Sequence, residues 1–379
     1  MVASRIPEIS IILPCRNEEK ALPFCLNQVN EVIKEHNLNA EVIVSDSSSD
    51  RSPSIALEMG AILVKHDKEG YGNAYLEGFK VATGKYIFMA DADGSYDFRN
   101  IPRFIRLLKD GNDIIIGNRF GGEIDNGAMP FLHKHVGNPV LSNILAVFFG
   151  NYVSDSHSGM RAIKRESLDK LNLQTAGMEF ASEMIVKAIR EGLIIREVSI
   201  KYHKRIGDSK LETFSDGWKH LRFMLLYSPM FLFFVPGILL FILGVLTLLW
   251  FYFGSPNILG IQLYYHPMFF CSALVIIGYQ LIIFSAFAKS YAYTHLHERN
   301  ELLEKVFKHI TIERASVIGI LMSIIGVVVY GYIFFEWISS GLGSLNEVKS
   351  SILALTFVVL GIQTIFSSFM LSILGIKEK

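Results

Sequence analysis

Cysteine is scarce. The chain has 3, Cys15, Cys25 and Cys271, among 379 residues. None forms a CxxC pair and Cys271 falls in a long apolar run, so neither a disulfide framework nor a structural zinc site is expected. A charge imbalance is also missing: Lys plus Arg and Asp plus Glu each number 36. Without a basic excess, nucleic acid is excluded as a general partner. The opening residues MVASRIPEIS lack the apolar core of a secretory signal, and none is expected. The most informative absence is local. No Asp, Glu, Lys or Arg occurs in residues 223–288, 315–335 or 350–376. Crossing a bilayer takes about 20 apolar residues, so the first gap holds two spans and the others one each, at about 228–253, 267–288, 315–338 and 351–376.

The cations that remain set an orientation. Lys201, Lys204, Arg205, Lys210, Lys219 and Arg222 precede the first span, and Lys289, Arg299, Lys305, Lys308 and Arg314 lie between the second and third. The first loop is uncharged, the third has Lys349 as its lone cation, and the chain ends on Lys377 and Lys379. Basic segments stay in the cytoplasm. The N-terminal domain, the middle loop and the C-terminus are therefore expected there. Phe214, Trp218, Leu221 and Leu225 share one helical face beside Lys219 and Arg222, and Leu302, Leu303, Val306, Phe307 and Ile310 also repeat at helical spacing. Both patterns suit amphipathic helices in the headgroup layer. The expected domains are a catalytic unit over 1–212, an interfacial helix over 213–225 and a membrane unit over 226–379.

Before the spans, apolar runs at 8–14, 41–46, 61–66, 85–90 and 113–117 alternate with helical patterns at 21–36, 53–59, 73–82 and 101–109. The runs are continuously apolar, as in strands covered on both faces. That alternation predicts a doubly wound, mostly parallel α/β sheet. Ligands of such sheets bind beyond the carboxyl ends of the strands. Four strands here empty into PCRNEE, SDSSSD, DKEGYGNA and DADGS. In the last, Asp91 and Asp93 are two residues apart and project to one side of an extended segment. Two carboxylates at one point repel unless a cation joins them. Mg²⁺ or Mn²⁺, bound by one or two carboxylates and substrate phosphates, answers that need. An Asx turn ending the strand is the plainer alternative.

These residues resemble a known family. DADGSY after an apolar strand is similar to the DxD motif of family 2 glycosyltransferases with the GT-A fold, and IILPCRNEE and VIVSDSSSD to their nucleotide-binding motifs. GNRF (117–120), SDSHSGMRAI (154–163), GMEFASEM (177–184) and YHKRIGDSKL (202–211) resemble segments of membrane-bound dolichyl- or polyprenyl-phosphate mannose and glucose synthases. The resemblance implies that Pro14, Arg16, Asn17 and Glu18 border the nucleotide and that Asp46 accepts from its base or ribose. It implies that Asp93 holds the metal against the diphosphate, with Ala92 beside it and Asp91 nearer the sugar or backing the metal. Arg119 and Arg161 would face the reaction centre, and Arg205 and Lys210 would lie on a loop that closes over the phosphates, with Gly207 between them as its flexible point. There are departures: Ser45 where an Asp is common, Ser95 where some mannose synthases have glutamine, and His133, Lys134 and His135 where arginines are frequent.

The chemistry implied is inverting transfer of a hexose from GDP-mannose or UDP-glucose to a polyprenyl or dolichyl phosphate at the cytoplasmic membrane face. Such an acceptor is already anionic and needs no general base, only cations that position it. A processive polysaccharide synthase also joins this kind of domain to membrane helices, but its QxxRW motif is absent from the sequence. A non-catalytic, lipid-translocating membrane protein is the alternative from another class.

Overall fold

The computed structural model describes residues 6–207, 213–258, 260–295 and 312–374. They divide into two compact units, Met1–Tyr227 and Ser228–Lys379. Lys210 and the helical pattern at 302–310 lie outside the described residues.

The first unit is built on β1 (Ile9–Cys15), β2 (Ala40–Asp46), β3 (Ile62–Lys65), β4 (Tyr86–Met89), β5 (Ile114–Asn118), β6 (Arg161–Lys164) and β7 (Ile195–Ser199). They form one sheet in the order β3-β2-β1-β4-β6-β5-β7. Every pairing is parallel except those of β6, which runs antiparallel to both β4 and β5. The five strands expected from the apolar runs are β1 to β5, and β6 and β7 are additions.

Alternation along the strands explains why the runs are apolar throughout. Ile11, Leu13, Val44 and Phe88 face one core, with α1 (Leu22–Glu35), α2 (Ser52–Glu58) and α4 (Ile101–Lys109) packed on it. Ile12, Ile43, Ile87 and Met89 face the other, under α3 (Tyr71–Val81), α5 (Asn138–Phe149), α6 (Arg165–Leu171) and α7 (Phe180–Arg190). Helix α8 (Thr213–Leu226) joins that second core through Phe223 and Met224. The central strands are thus dry on both faces, and the chemistry is left to the sheet's edge. Removing one fully buried ring such as Phe88 (0% exposed) would cost ~3–5 kcal/mol.

Among its described residues the second unit holds four helices long and apolar enough to cross a membrane: Met230–Phe253, His266–Tyr291, Glu313–Ser339 and Val348–Leu374. The first and second pack closely at Gly278, where a Cβ would stand 2.4 Å from Phe241 N. Small residues permit such backbone approach where apolar burial gives no drive for helices to associate. Side-chain hydrogen bonds join the second and fourth spans, Ser272 to Thr356 at 2.7 Å and Gln280 to Gln363 at 3.0 Å. Lys349 donates to the carbonyls of Phe251 (2.7 Å) and Gly254 (2.8 Å). The third loop's cation therefore closes the C-terminal end of the first span, where a positive charge suits the helix dipole.

Candidate active site

The residues after β1, β2 and β4 meet at the carboxyl edge of the sheet. Parallel registry sets this up, because Cys15 lies opposite Asp46 and Asp46 opposite Lys65. The loops after β1 and β2 are then tied together. Asn17 takes a left-handed φ of 56°, which Asn tolerates better than most residues. Its N–H donates to Ser48 Oγ at 2.7 Å and its Oδ1 accepts from Ser49 N at 2.8 Å. Glu18 N donates to Ser52 Oγ at 3.0 Å. Arg16 pairs with Glu69 at 2.8 Å across the mouth. Pro14, Arg16, Asn17 and Glu18 thus stand together along one rim.

Asp46 lies deeper than a rim residue. It is fully buried, and its carboxylate accepts from Ser48 Oγ (2.5 Å), Ser48 N (3.2 Å) and Lys65 Nζ (2.8 Å). Lys65 and Ser48 were not singled out in the sequence. Lys65, the last residue of a four-residue strand, gives no local sign that it neutralises a carboxylate 19 positions earlier.

The DxD segment forms the centre. Asp91 Oδ1 accepts from the Tyr71 hydroxyl at 3.0 Å. A side chain at Gly159 would place its Cβ 2.7 Å from Asp91 Oδ2, so only glycine fits beside that carboxylate. Ala92 is buried. Asp93 Oδ1 accepts from Ser95 N (2.9 Å) and Ser95 Oγ (2.5 Å). Its Oδ2 lies 3.4 Å from Arg205 Nη2, which also approaches Glu18 Oε1 at 3.5 Å. The segment bearing Arg205 is pinned by its backbone, His203 N to Ser95 O at 2.9 Å and Ile206 N to Asp93 O at 2.7 Å. Gly207 follows with φ +105°. Arg205 Nε is buried without a hydrogen-bond partner. Desolvation, with the charge of Asp93 added, pushes Asp91 up to about 7. Burial also raises the Tyr71 hydroxyl well above its ordinary value, so it stays a neutral donor.

Arg119 and Arg161 sit beneath this centre. Arg119 is 7% exposed and grips Asp155 with two bonds of 2.7 Å, Nε to Oδ2 and Nη2 to Oδ1. Its guanidinium also lies 5.1 Å from the centre of the Tyr202 ring. Asp155 is held in turn by Glu197, which accepts from Asp155 N at 3.0 Å and Ser154 Oγ at 2.8 Å. Arg161 is 2% exposed and donates to the carbonyls of Ser158, Ala181 and Ser156, each at 2.8 Å. Its side chain binds the 154–160 loop to α7. A structure in which Asp155 opposes Arg119 and carbonyls absorb Arg161 was not foreseen from either motif.

Two carboxylates, one kept from ionising freely and one against an arginine, can bind a divalent cation that carries further oxygen ligands. Among the described residues no group of three or more His, Cys, Asp or Glu side chains is placed to hold a metal alone. The donor set fits an ion shared with a phosphorylated substrate.

The chain joins a mostly parallel α/β unit with acidic motifs at its sheet edge to a unit of apolar helices. Residues 10–171 match the model of glycosyl transferase family 2, and residues 286–375 match the C-terminal transmembrane region of family 2 glycosyltransferases. The low-salt glycan biosynthesis hexosyltransferase Agl6 of Haloferax volcanii is 40% identical over 370 residues, covering 97% of this chain and 89% of that protein. A dolichyl-phosphate hexose transferase of the same organism is 31% identical over 55% of this chain and 89% of its own length. A dolichol-phosphate mannosyltransferase of Pyrococcus furiosus is 28% identical over 54% of this chain and 59% of its own. This chain belongs to glycosyltransferase family 2. It is a membrane-anchored glycosyltransferase with a GT-A catalytic unit, which removes the non-catalytic alternative.

Proposed function

We propose that the protein moves a hexose, with inversion, from GDP-mannose or UDP-glucose to a polyprenyl or dolichyl phosphate on the cytoplasmic leaflet. The observation that carries this reading is the meeting of Asp91, Asp93 and Arg205 at one point of the sheet edge. Asp91 and Asp93 would hold Mg²⁺ or Mn²⁺ with oxygens of the donor diphosphate. When bound, such an ion supplies charge stabilisation for the departing diphosphate. The buried Nε of Arg205, lacking a partner, is a donor that a phosphate oxygen would satisfy. Pro14, Arg16, Asn17 and Glu18 border the nucleotide, with Asp46 beneath it fixing Lys65 and Ser48. Arg119, oriented by Asp155, belongs to the acceptor side, and Lys210 joins Arg205 in closing the site.

In this reading a phosphate oxygen of the lipid forms a bond to the anomeric carbon as the bond to the diphosphate breaks on the opposite face. The nucleoside diphosphate leaves with the electron pair, and no proton need move. The basic residues before the first span and in the middle loop support a cytoplasmic catalytic unit. The names of the dolichyl-phosphate transferases above support the lipid acceptor. The test offers purified protein in nanodiscs radiolabelled UDP-glucose, GDP-mannose or UDP-GlcNAc with a short polyprenyl phosphate. A lipid-linked monosaccharide is expected. A polymer, or label transferred only to water, would overturn the proposal.

A further inference from the structure

The 131–149 segment has an outer face that the active site does not use. It begins at Phe131, passes through a π-helical turn, His133–Gly137, and continues as α5. Phe131, Leu132, Val136, Val140 and Val147 are 72%, 51%, 49%, 48% and 64% exposed. Leu132, Val136, Val140 and Val147 follow at steps of four, four and seven, which place them on one side of a helix. The opposite side enters the core through Ser142 and Leu145, at 1% and 0% exposure. A catalytic unit has little reason to keep such a stripe in water, because contiguous apolar patches mark interaction sites.

We propose that this stripe docks onto the bilayer, at the boundary between headgroups and acyl chains, as a second lipid-binding element beside α8. Three observations select lipid as the occupant. First, Arg190 joins the C-terminal ends of both helices, with its guanidinium 5.9 Å from the centre of the Phe149 ring and 5.2 Å from that of Tyr227. Second, Tyr227 is only three residues before Met230, where the first span begins, a reach of about 10 Å at most. Third, residues 131–149 carry Lys134 in the first turn and no Asp or Glu, a charge suited to anionic headgroups. Trp218 and Leu226 of α8 are likewise exposed, at 57% and 62%. Docking the catalytic unit along two helices would hold its acceptor edge at a fixed height over the lipid phosphates; that consequence rests on the transfer proposed above, while the docking itself does not.

The test places an environment-sensitive fluorophore on Val140→Cys, on Trp218→Cys and on Lys109→Cys in the full chain, reconstituted in nanodiscs. The three native cysteines are buried and would be replaced by serine or alanine. Apolar faces of interfacial helices lie about 5–10 Å into the boundary. The Val140 label should therefore emit at shorter wavelength than the Lys109 control and be quenched by lipids brominated near the headgroup. Emission and quenching equal to the control would overturn the proposal. A blue-shifted label that brominated lipid fails to quench would also overturn it, by showing that protein covers the face. Quenching at Trp218 without quenching at Val140 would leave α8 interfacial and refute α5. Each readout is independent of turnover, so loss of the transfer reading would not decide it.

Discussion

Arg205 stands against the carboxylate of Asp93, a residue proposed above to hold the metal. Its Nη2 is 3.4 Å from Asp93 Oδ2, in a pocket where its side chain is 23% exposed and that of Asp93 10%. Two unit charges at that separation interact by about 5 kcal/mol at an effective dielectric constant of 20. Water at the open side and the cost of desolvation reduce the net value to ~1–2 kcal/mol. If the proposed site is right, this attraction would compete, in the donor-free protein, with a divalent ion for the same carboxylate. With the proposed donor present, the arginine would gain diphosphate oxygens and the competition would become cooperation. Arg205→Ala should therefore act in opposite directions on two measurements. Mn²⁺ affinity without donor, read by electron paramagnetic resonance of the free ion, should rise about 5- to 30-fold, the equivalent of that energy. Turnover with saturating donor and polyprenyl phosphate should fall about 30- to 1000-fold, the loss of a charge-assisted contact worth ~2–4 kcal/mol in the transition state. Unchanged or weaker Mn²⁺ binding in Arg205→Ala would refute the shared position. Turnover within about threefold of the parent would refute the clamp.

The remaining predictions address charge, proton and packing. Asp155→Asn leaves the Arg119 guanidinium buried with no opposing charge, which costs ~3–5 kcal/mol. At about 2–4 °C per kcal/mol the thermal midpoint should drop by roughly 6–20 °C, and a shift under about 2 °C would show that Arg119 does not depend on the pair. Asp91 is pushed up to about 7, so below that pH a proton competes with the metal and above it the carboxylate is free. Apparent Mn²⁺ affinity should fall about 25-fold from pH 7.5 to 5.5, and a profile flat within about threefold would contradict the shift. Gly278→Val should separate the first two spans and lower the melting midpoint measured in detergent, because its Cβ would meet Phe241 N at 2.4 Å. Gly331→Val is the control, since nothing lies within 4 Å of a Cβ there, and equal behaviour of the two variants would refute the close packing.

What the sequence revealed and what it hid divide along a physical line. Strands β1, β2, β4 and β5 were legible because burial on both faces leaves a run such as YIFM without polar interruption, the partly exposed edge strand β3 because its ILV run is apolar, and the spans because a bilayer tolerates few charges. Strand β6 was not. RAIK begins with a buried arginine that serves three carbonyls and ends on a lysine paired with Asp113 at 3.0 Å. Its antiparallel insertion between β4 and β5 is a long-range event without a local signature. The same limit governs the site. A charged residue just past a strand reads alike whether it faces a ligand or a partner. The partner of Arg119 is 36 positions away, that of Asp46 is 19 away, and the contact from Arg205 to Glu18 spans 187. Pairing inside the fold uses up a charge, because a buried ion satisfied by its neighbour gains little from a newcomer. Groups left short are the ones that still have free energy to give to a ligand. Among the residues singled out by motif, Arg161 has given its donors to carbonyls and Asp46 its acceptors to Ser48 and Lys65. Asp91 retains an ionisation held back by burial and by Asp93, and Arg205 retains a buried Nε with no acceptor. A divalent cation would relieve the first and a phosphate oxygen the second. These two deficits, opposite in sign and adjacent in space, point to a metal diphosphate more sharply than the DxD spacing does alone.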